Sequence, residues 1–129
     1  MVPFLNVMVK VAPLTQTKLG DNSLDNPAIG DFVTGITGFL DMMTPDEAFM
    51  TYNVQLMNPA IIHVELTDEF AFTPDSQMVV TSNAQGDTSY FDGFVFRVHG
   101  RADIRNEGLD LDHASFILDR RTYPFAVAP

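Results

Sequence analysis

Histidine and carboxylate are the side chains of this sequence that could hold a metal or move a proton. His63, His99 and His113 each fall on an expected strand or at its start. No HxH or HxxxH pair occurs, so no metal site is encoded locally. Adjacent strands of a β-barrel would have to bring His99 and His113 together, with Asp112 or Glu65 as a third ligand. That arrangement would make a small cupin-like metal- or ligand-binding barrel. The simpler expectation is three strand histidines, partly exposed or hydrogen-bonded. Asp and Glu make up 17 of the 129 residues, so pairs such as Asp110/Asp112 and Asp68/Glu69 arise from abundance alone. They carry little weight as acid–base couples. Asp21-Asn22-Ser23 lacks the later Gly and Glu of a calcium loop. GxSxG, P-loop and GxGxxG patterns are absent. No catalytic residue, cofactor or metal is assigned, and the expectation is a protein that is not an enzyme.

Arginine is the other chemically pointed residue. Five of the seven basic residues, Arg97, Arg101, Arg105, Arg120 and Arg121, lie in the last third, while acidic residues dominate the rest. Guanidinium pairs in a planar fashion with carboxylate. A chain acidic at one end and basic at the other can meet copies of itself, or an oppositely charged neighbour, in a ring. Arg101, Arg105, Arg120 and Arg121 are therefore candidate inter-subunit or docking residues. The competing expectation is local pairing within the chain, with Asp103, Glu107 and Asp119.

Composition bounds what these residues can serve. A length of 129 residues is one domain with one modest core. Net charge is −10, which argues against a general nucleic-acid binder. An acidic wall repels phosphate, which suits a passage where DNA slides without sticking. The absence of cysteine excludes disulfides, thiol catalysis and thiolate metal sites. No apolar run approaches the roughly 18 residues of a membrane span, and the N-terminus reads as a strand rather than a signal peptide. Eleven Phe and three Tyr supply core bulk in a chain without Trp. Met8, Met42, Met43, Met50, Met57 and Met78 either fill gaps or form an adaptable docking surface.

The elements that would position these side chains are mostly strands. Residues 5–13 alternate, with Val7, Val9 and Val11 on one face. Residues 14–30 are rich in Gly, Asn, Asp and Pro and predict a long exposed loop. Residues 31–43 form a second strand, in which Gly35 and Gly38 mark a bulge or tight bend. Thr44-Pro45-Asp46-Glu47 has the order of a capped helix start, with Thr44 as cap and Pro45 at the first helical position. That helix would run about two turns to Tyr52, although a strand-like 49–57 fits nearly as well. Residues 60–66 are a strong strand with Ile62, Val64 and Leu66 facing one way. A turn region follows at 67–76, then strand 77–81 and a flexible tip at 82–89. Asp92-Gly93 predicts a tight primed hairpin turn with positive φ. The strand ending at His99 comes next, and after a turn at 100–108 the last strand occupies 112–119. Residues 122–129 predict an extended arm. The expected fold is mainly β: a small six- to seven-stranded barrel or sandwich with at most one short helix.

The order of these elements resembles the head–tail joining family of tailed phages, the head-completion or stopper connectors. The resemblance runs over residues 5–121. It includes the first strand and its loop carrying Gly20-Asp21, the glycine-bearing second strand, and the segment opened by Thr44-Pro45-Asp46-Glu47. It continues through AIIHVEL, through QMVV and FDGFVFRVHG, and through LDHASFILDRR. Two departures are an inserted SNAQGDTSY and the polar Arg97 and His99 in a strand usually more aliphatic. The resemblance implies a non-enzymatic ring in the virion neck, assembled in the host cytoplasm. A portal or adaptor ring would lie above it and tail proteins below. Packaged DNA would pass through the lumen without sequence-specific binding. It further implies that residues 44–58 face or close the channel, with Asp46, Glu47, Met50, Tyr52 and Met57 as the candidate channel residues. A tail terminator or tail-tube component is the neighbouring expectation.

Overall fold

The computed structural model describes residues 5–15, 28–102 and 113–122. Within them, period-two alternation builds a closed antiparallel barrel. Its strands are β1 (Val7–Ala12), β4 (Val33–Met42), β5 (Pro59–Glu65), β6 (Gln77–Ser82), β7 (Val95–Arg101) and β8 (His113–Arg121). Around the barrel they follow the order β1-β4-β5-β8-β7-β6, and β6 closes back on β1. Inward positions fill the interior: Val7, Val9 and Val11 from β1, Ile62 and Val64 from β5, Phe96 and Val98 from β7, and Phe116 and Leu118 from β8. Phe72 stacks on Phe116 within this core, with ring centroids 4.8 Å apart.

Closure depends on two glycines of β4. The β1–β4 register slips by one residue between Val9↔Ile36 and Val11↔Val33, and the extra β4 residue is taken up where Gly35 has φ +75°. This is the bulge expected there, and it bends the strand around the barrel. Gly38 serves a different need. It lies opposite Val64, and a β-carbon on it would come within 2.8 Å of the His63 carbonyl oxygen. At the start of β1, Asn6 lengthens the ladder with its side chain: its amide donates to the Leu40 carbonyl at 2.9 Å and accepts from Leu40 N–H at 2.7 Å.

The structure corrects several expectations. Residues 14–30 are not loop from end to end, because β2 (Leu14–Thr15) pairs antiparallel with β3 (Ala28–Ile29). Ile29 is buried with Ala12 there, and Leu14 and Phe32 pack around them. Residues 16–27 lie outside the described residues. The region 67–76 holds a 3-10 helix, Leu66–Ala71, so Leu66 leaves the face of Ile62 and Val64 and is exposed. Asp92-Gly93 is not the tip of a two-residue hairpin. The β6–β7 connection runs from 83 to 94, and Phe94 N–H donates to the Phe91 carbonyl at 3.0 Å, closing a turn around Asp92 and Gly93. Gly93 has φ +80° but Asp92 does not have positive φ, so the primed form is excluded. Of the expected C-terminal arm, 122–129, Thr122 alone is among the described residues; residues 123–129 lie outside them.

These glycines separate two kinds of strain. Gly93→Val puts a β-branched residue at positive φ with open space around its β-carbon, so the cost is backbone strain of about 1–2 kcal/mol or more. Gly38→Ala costs about 1–3 kcal/mol through its clash with backbone. Gly100→Ala meets nothing within 4 Å and serves as the neutral control. Thermal denaturation of the three variants checks the order; an unchanged melting temperature for Gly38→Ala would contradict the close approach of β4 to β5.

Candidate functional site

Two outward isoleucines determine where the non-barrel segment goes. Ile61 on β5 lies directly across from Ile117 on β8, and both side chains point away from the filled interior. Two adjacent apolar side chains on an outer wall need cover. Residues 43–58 supply it: Met43, Ala48, Tyr52, Val54 and Leu56 pack with the isoleucines, and Ala102 joins them. Both ends of the segment are tied down. Met43 N–H donates to the Pro59 carbonyl at 3.0 Å, Asn58 N–H donates to Asp119 Oδ1 at 3.3 Å, and Arg120 N–H donates to the Asn58 carbonyl at 2.9 Å.

The choice between helix and strand for this segment falls to helix α1 (Pro45–Tyr52). Thr44 has extended backbone and its Oγ1 accepts from Glu47 N–H at 3.2 Å, while Pro45 takes the first helical position, where no N–H is needed. Asn53, at φ 56° and ψ 41°, ends the helix in the left-handed region, and its N–H donates to the Phe49 carbonyl. Ala48 is fully buried against the wall, while Phe49 is 46%, Met50 81% and Met57 84% exposed. Phe49 and Met57 line a groove of about 380 Å³ together with Pro45, Asp46, Gln55 and Leu56. Asp46 and Glu47 are exposed at the helix start. Tyr52, grouped by sequence with the channel residues, is instead half-buried on the wall side. Its phenol is raised above the ordinary tyrosine value by burial first, then by the charges of Glu47 and Asp41.

The arginines are divided between ion pairs and ring stacking. Arg101 donates to Glu69 Oε2 at 2.7 Å and Arg97 to Asp75 Oδ1 at 2.9 Å, while Arg121 lies 3.5 Å from Asp119. Of the carboxylates expected as partners, Asp119 pairs; Asp103, Glu107 and the candidate Arg105 lie outside the described residues. Glu69 and Asp75 were missed because they are distant in sequence, and only strand register brings them near. The Arg120 guanidinium stacks 3.6 Å from the Phe94 ring centroid, beside an edge-to-face cluster of Tyr90, Phe91 and Phe94. Tyr90 is 82% exposed.

The histidines do not converge. His63 Nδ1 and Ser115 Oγ are hydrogen-bonded at 2.6 Å, and the His63 ring stacks on Phe39. His113 pairs with Glu65 in the β5–β8 register. His99 falls at a shift in the β7–β8 register, beside the Gly100↔Ile117 pair. That places it four residues along β8 from His113, or about 13 Å at strand rise. Among the described residues no group of three His, Cys, Asp or Glu could hold a metal ion. Asp68, near the far end of β5, has its carboxyl raised by burial and then by the Glu65 charge. No described helix is long and apolar enough to cross a membrane.

No family model matches the chain, and no curated protein matches it. The chain is similar in fold to the solution structure of protein SF1141 from Shigella flexneri 2a, at 12% identity and a TM-score of 0.58. The alignment covers 92% of this chain and 94% of that one. At that identity the likeness concerns the fold alone: a small mainly β barrel with few helices.

Two variants probe how the segment is held. Thr44→Ala removes the helix cap and costs about 1 kcal/mol, visible as a lowered melting temperature and faster hydrogen exchange at Glu47. Tyr52→Phe tests the raised phenol. A group whose pKa is raised by folding contributes stability that is present below its unfolded value and is lost as pH rises through the folded one. The native chain therefore loses stability across the alkaline tyrosine range, and Tyr52→Phe flattens that part of the curve. Equal alkaline slopes in denaturant titrations would contradict the wall-side placement of Tyr52.

Proposed function

We propose that this chain is a structural virion protein of a tailed phage, a head-completion connector that forms a ring in the neck. In this reading the ring retains packaged DNA and docks the tail. The observation that carries it is the two-sided segment 43–58. One side is anchored to a complete barrel, and the other holds Phe49, Met50 and Met57 in solvent. Large apolar side chains exposed together on a folded domain are the usual mark of a contact surface. The sequence resemblance gives that contact its setting, because the same segment corresponds to the channel-proximal part of the connector family.

Arg120 is the strongest of the candidate docking arginines, since Arg101 and Arg121 already have carboxylate partners in the chain. Its guanidinium lies flat on Phe94, next to exposed Tyr90, at the end of the barrel where β8 finishes and β7 begins. That end offers a neighbouring ring an aromatic and cationic shelf.

Because Ala48, Tyr52, Val54 and Leu56 cover the wall, deleting 46–56 would uncover Ile61 and Ile117, so point substitutions make the cleaner test. Met50→Asp with Met57→Asp leaves the anchored side untouched. The expected result is a chain that melts like the native one but is left out of particles, with particles that fail to retain DNA. Gold-labelled antibody against the native chain should mark the neck of particles made by cells encoding it. Labelling along the tail tube or at its head-proximal end would favour the terminator or tube role, and absence from particles would overturn a virion role.

A further inference from the structure

The exposed apolar side chains Phe49, Met50 and Met57, together the ridge, have a counterpart on the opposite side of the molecule. In the cyclic order β1-β4-β5-β8-β7-β6, the seam between β5 and β8 lies diametrically across from the seam between β6 and β1. The first seam carries α1 and the ridge. On the second, Met8 and Lys10 of β1 and Val79 and Thr81 of β6 point outward, because their neighbours Val7, Val9, Met78 and Val80 fill the core. Lys10 stands directly opposite Val79 in the ladder. Met8 and Val79 are half-exposed and belong to none of the apolar clusters. The Lys10 ammonium sits 4.5 Å from the Phe32 ring centroid and has no carboxylate partner among the described residues. Asp46 and Glu47, beside the ridge, likewise have no cation partner among them.

We infer that the ridge of one copy docks on the β1–β6 wall of the next, head to tail, with Lys10 received by Asp46 and Glu47. This rests on the ring reading and names the surfaces that would make the ring. Two complementary patches on opposite sides of one protomer generate a heterologous contact, which closes into a ring when the rotation per copy allows it. Phe49, Met50 and Met57 against Met8 and Val79 supply the apolar contact. The Lys10 charge sets direction, because two ridges brought face to face would oppose carboxylate to carboxylate.

The natural lack of cysteine makes this directly testable. A chain carrying both Lys10→Cys and Glu47→Cys, concentrated and treated with a short bis-maleimide cross-linker, should give a ladder of dimer, trimer and higher species. Mixed single variants should stop at the dimer. Lys10→Cys with Gln85→Cys, both exposed enough to react, measures random collision and should give at least several-fold less ladder. Adding Met50→Asp to the first pair should suppress the ladder. A ladder no stronger than the collision control would overturn the inference, as would dimerisation of Lys10→Cys alone as readily as the mixture. A ladder indifferent to Met50→Asp would do the same. Neck labelling of particles is read separately, so a virion connector that assembles through other surfaces would label normally and give no ladder.

Discussion

Ring closure of the six strands is the constraint on which everything else here depends. It requires β1, near the start of the chain, to pair with β6 some seventy residues later, as in Met8↔Ser82. Once the sheet is closed, each strand has one inward and one outward face, and the interior accepts only the inward set. Val, Ile, Leu and Phe at those positions fill it. The outward set is then free to vary, and its departures from polarity are informative. Ile61 and Ile117, paired across β5 and β8, are one such departure. They draw residues 43–58 onto the wall, and that cover in turn holds Phe49, Met50 and Met57 out in solvent.

The strands were legible from local signals because alternation is a local property, whereas their closure into a barrel rather than a sandwich was left open. Val7, Val9 and Val11 are all buried, as their spacing predicts, and so are Ile62 and Val64. The helix start was also legible, since capping involves only Thr44, Pro45 and Glu47. What the sequence left open was whether 49–57 follow as helix or as strand; the helix runs to Tyr52, and Asn53 ends it by adopting the left-handed conformation. The Asp92-Gly93 reading failed for a physical reason. The dipeptide does make a turn, but the strands it joins are determined by pairing. Val80 N–H donates to the Phe94 carbonyl and Gly93 N–H to the Val80 carbonyl, so the turn sits beside β6 and not at the hairpin tip.

The candidate site was only partly legible. Met50 and Met57 were picked out by type, and exposure separates them from Met78, which is fully buried. Tyr52 was grouped with them by position along the chain, but helical geometry turns it to the wall with Ala48. The partners of Arg97 and Arg101 could not be read, since a register that brings residue 101 beside residue 69 depends on the closed sheet and on no local pattern. The same holds for the diametric placement of the ridge and the β1–β6 wall, which follows from strand order alone.

The central claim is that the ridge of Met50 and Met57 is a buried contact in an assembled particle. Oxidation by dilute peroxide, followed residue by residue by mass spectrometry, measures this directly, with core Met78 as an internal reference. In the purified chain Met50 and Met57 should oxidise fast and Met78 slowly. In intact particles all three should oxidise slowly. Rapid oxidation of Met50 and Met57 in particles that contain the chain would contradict the account.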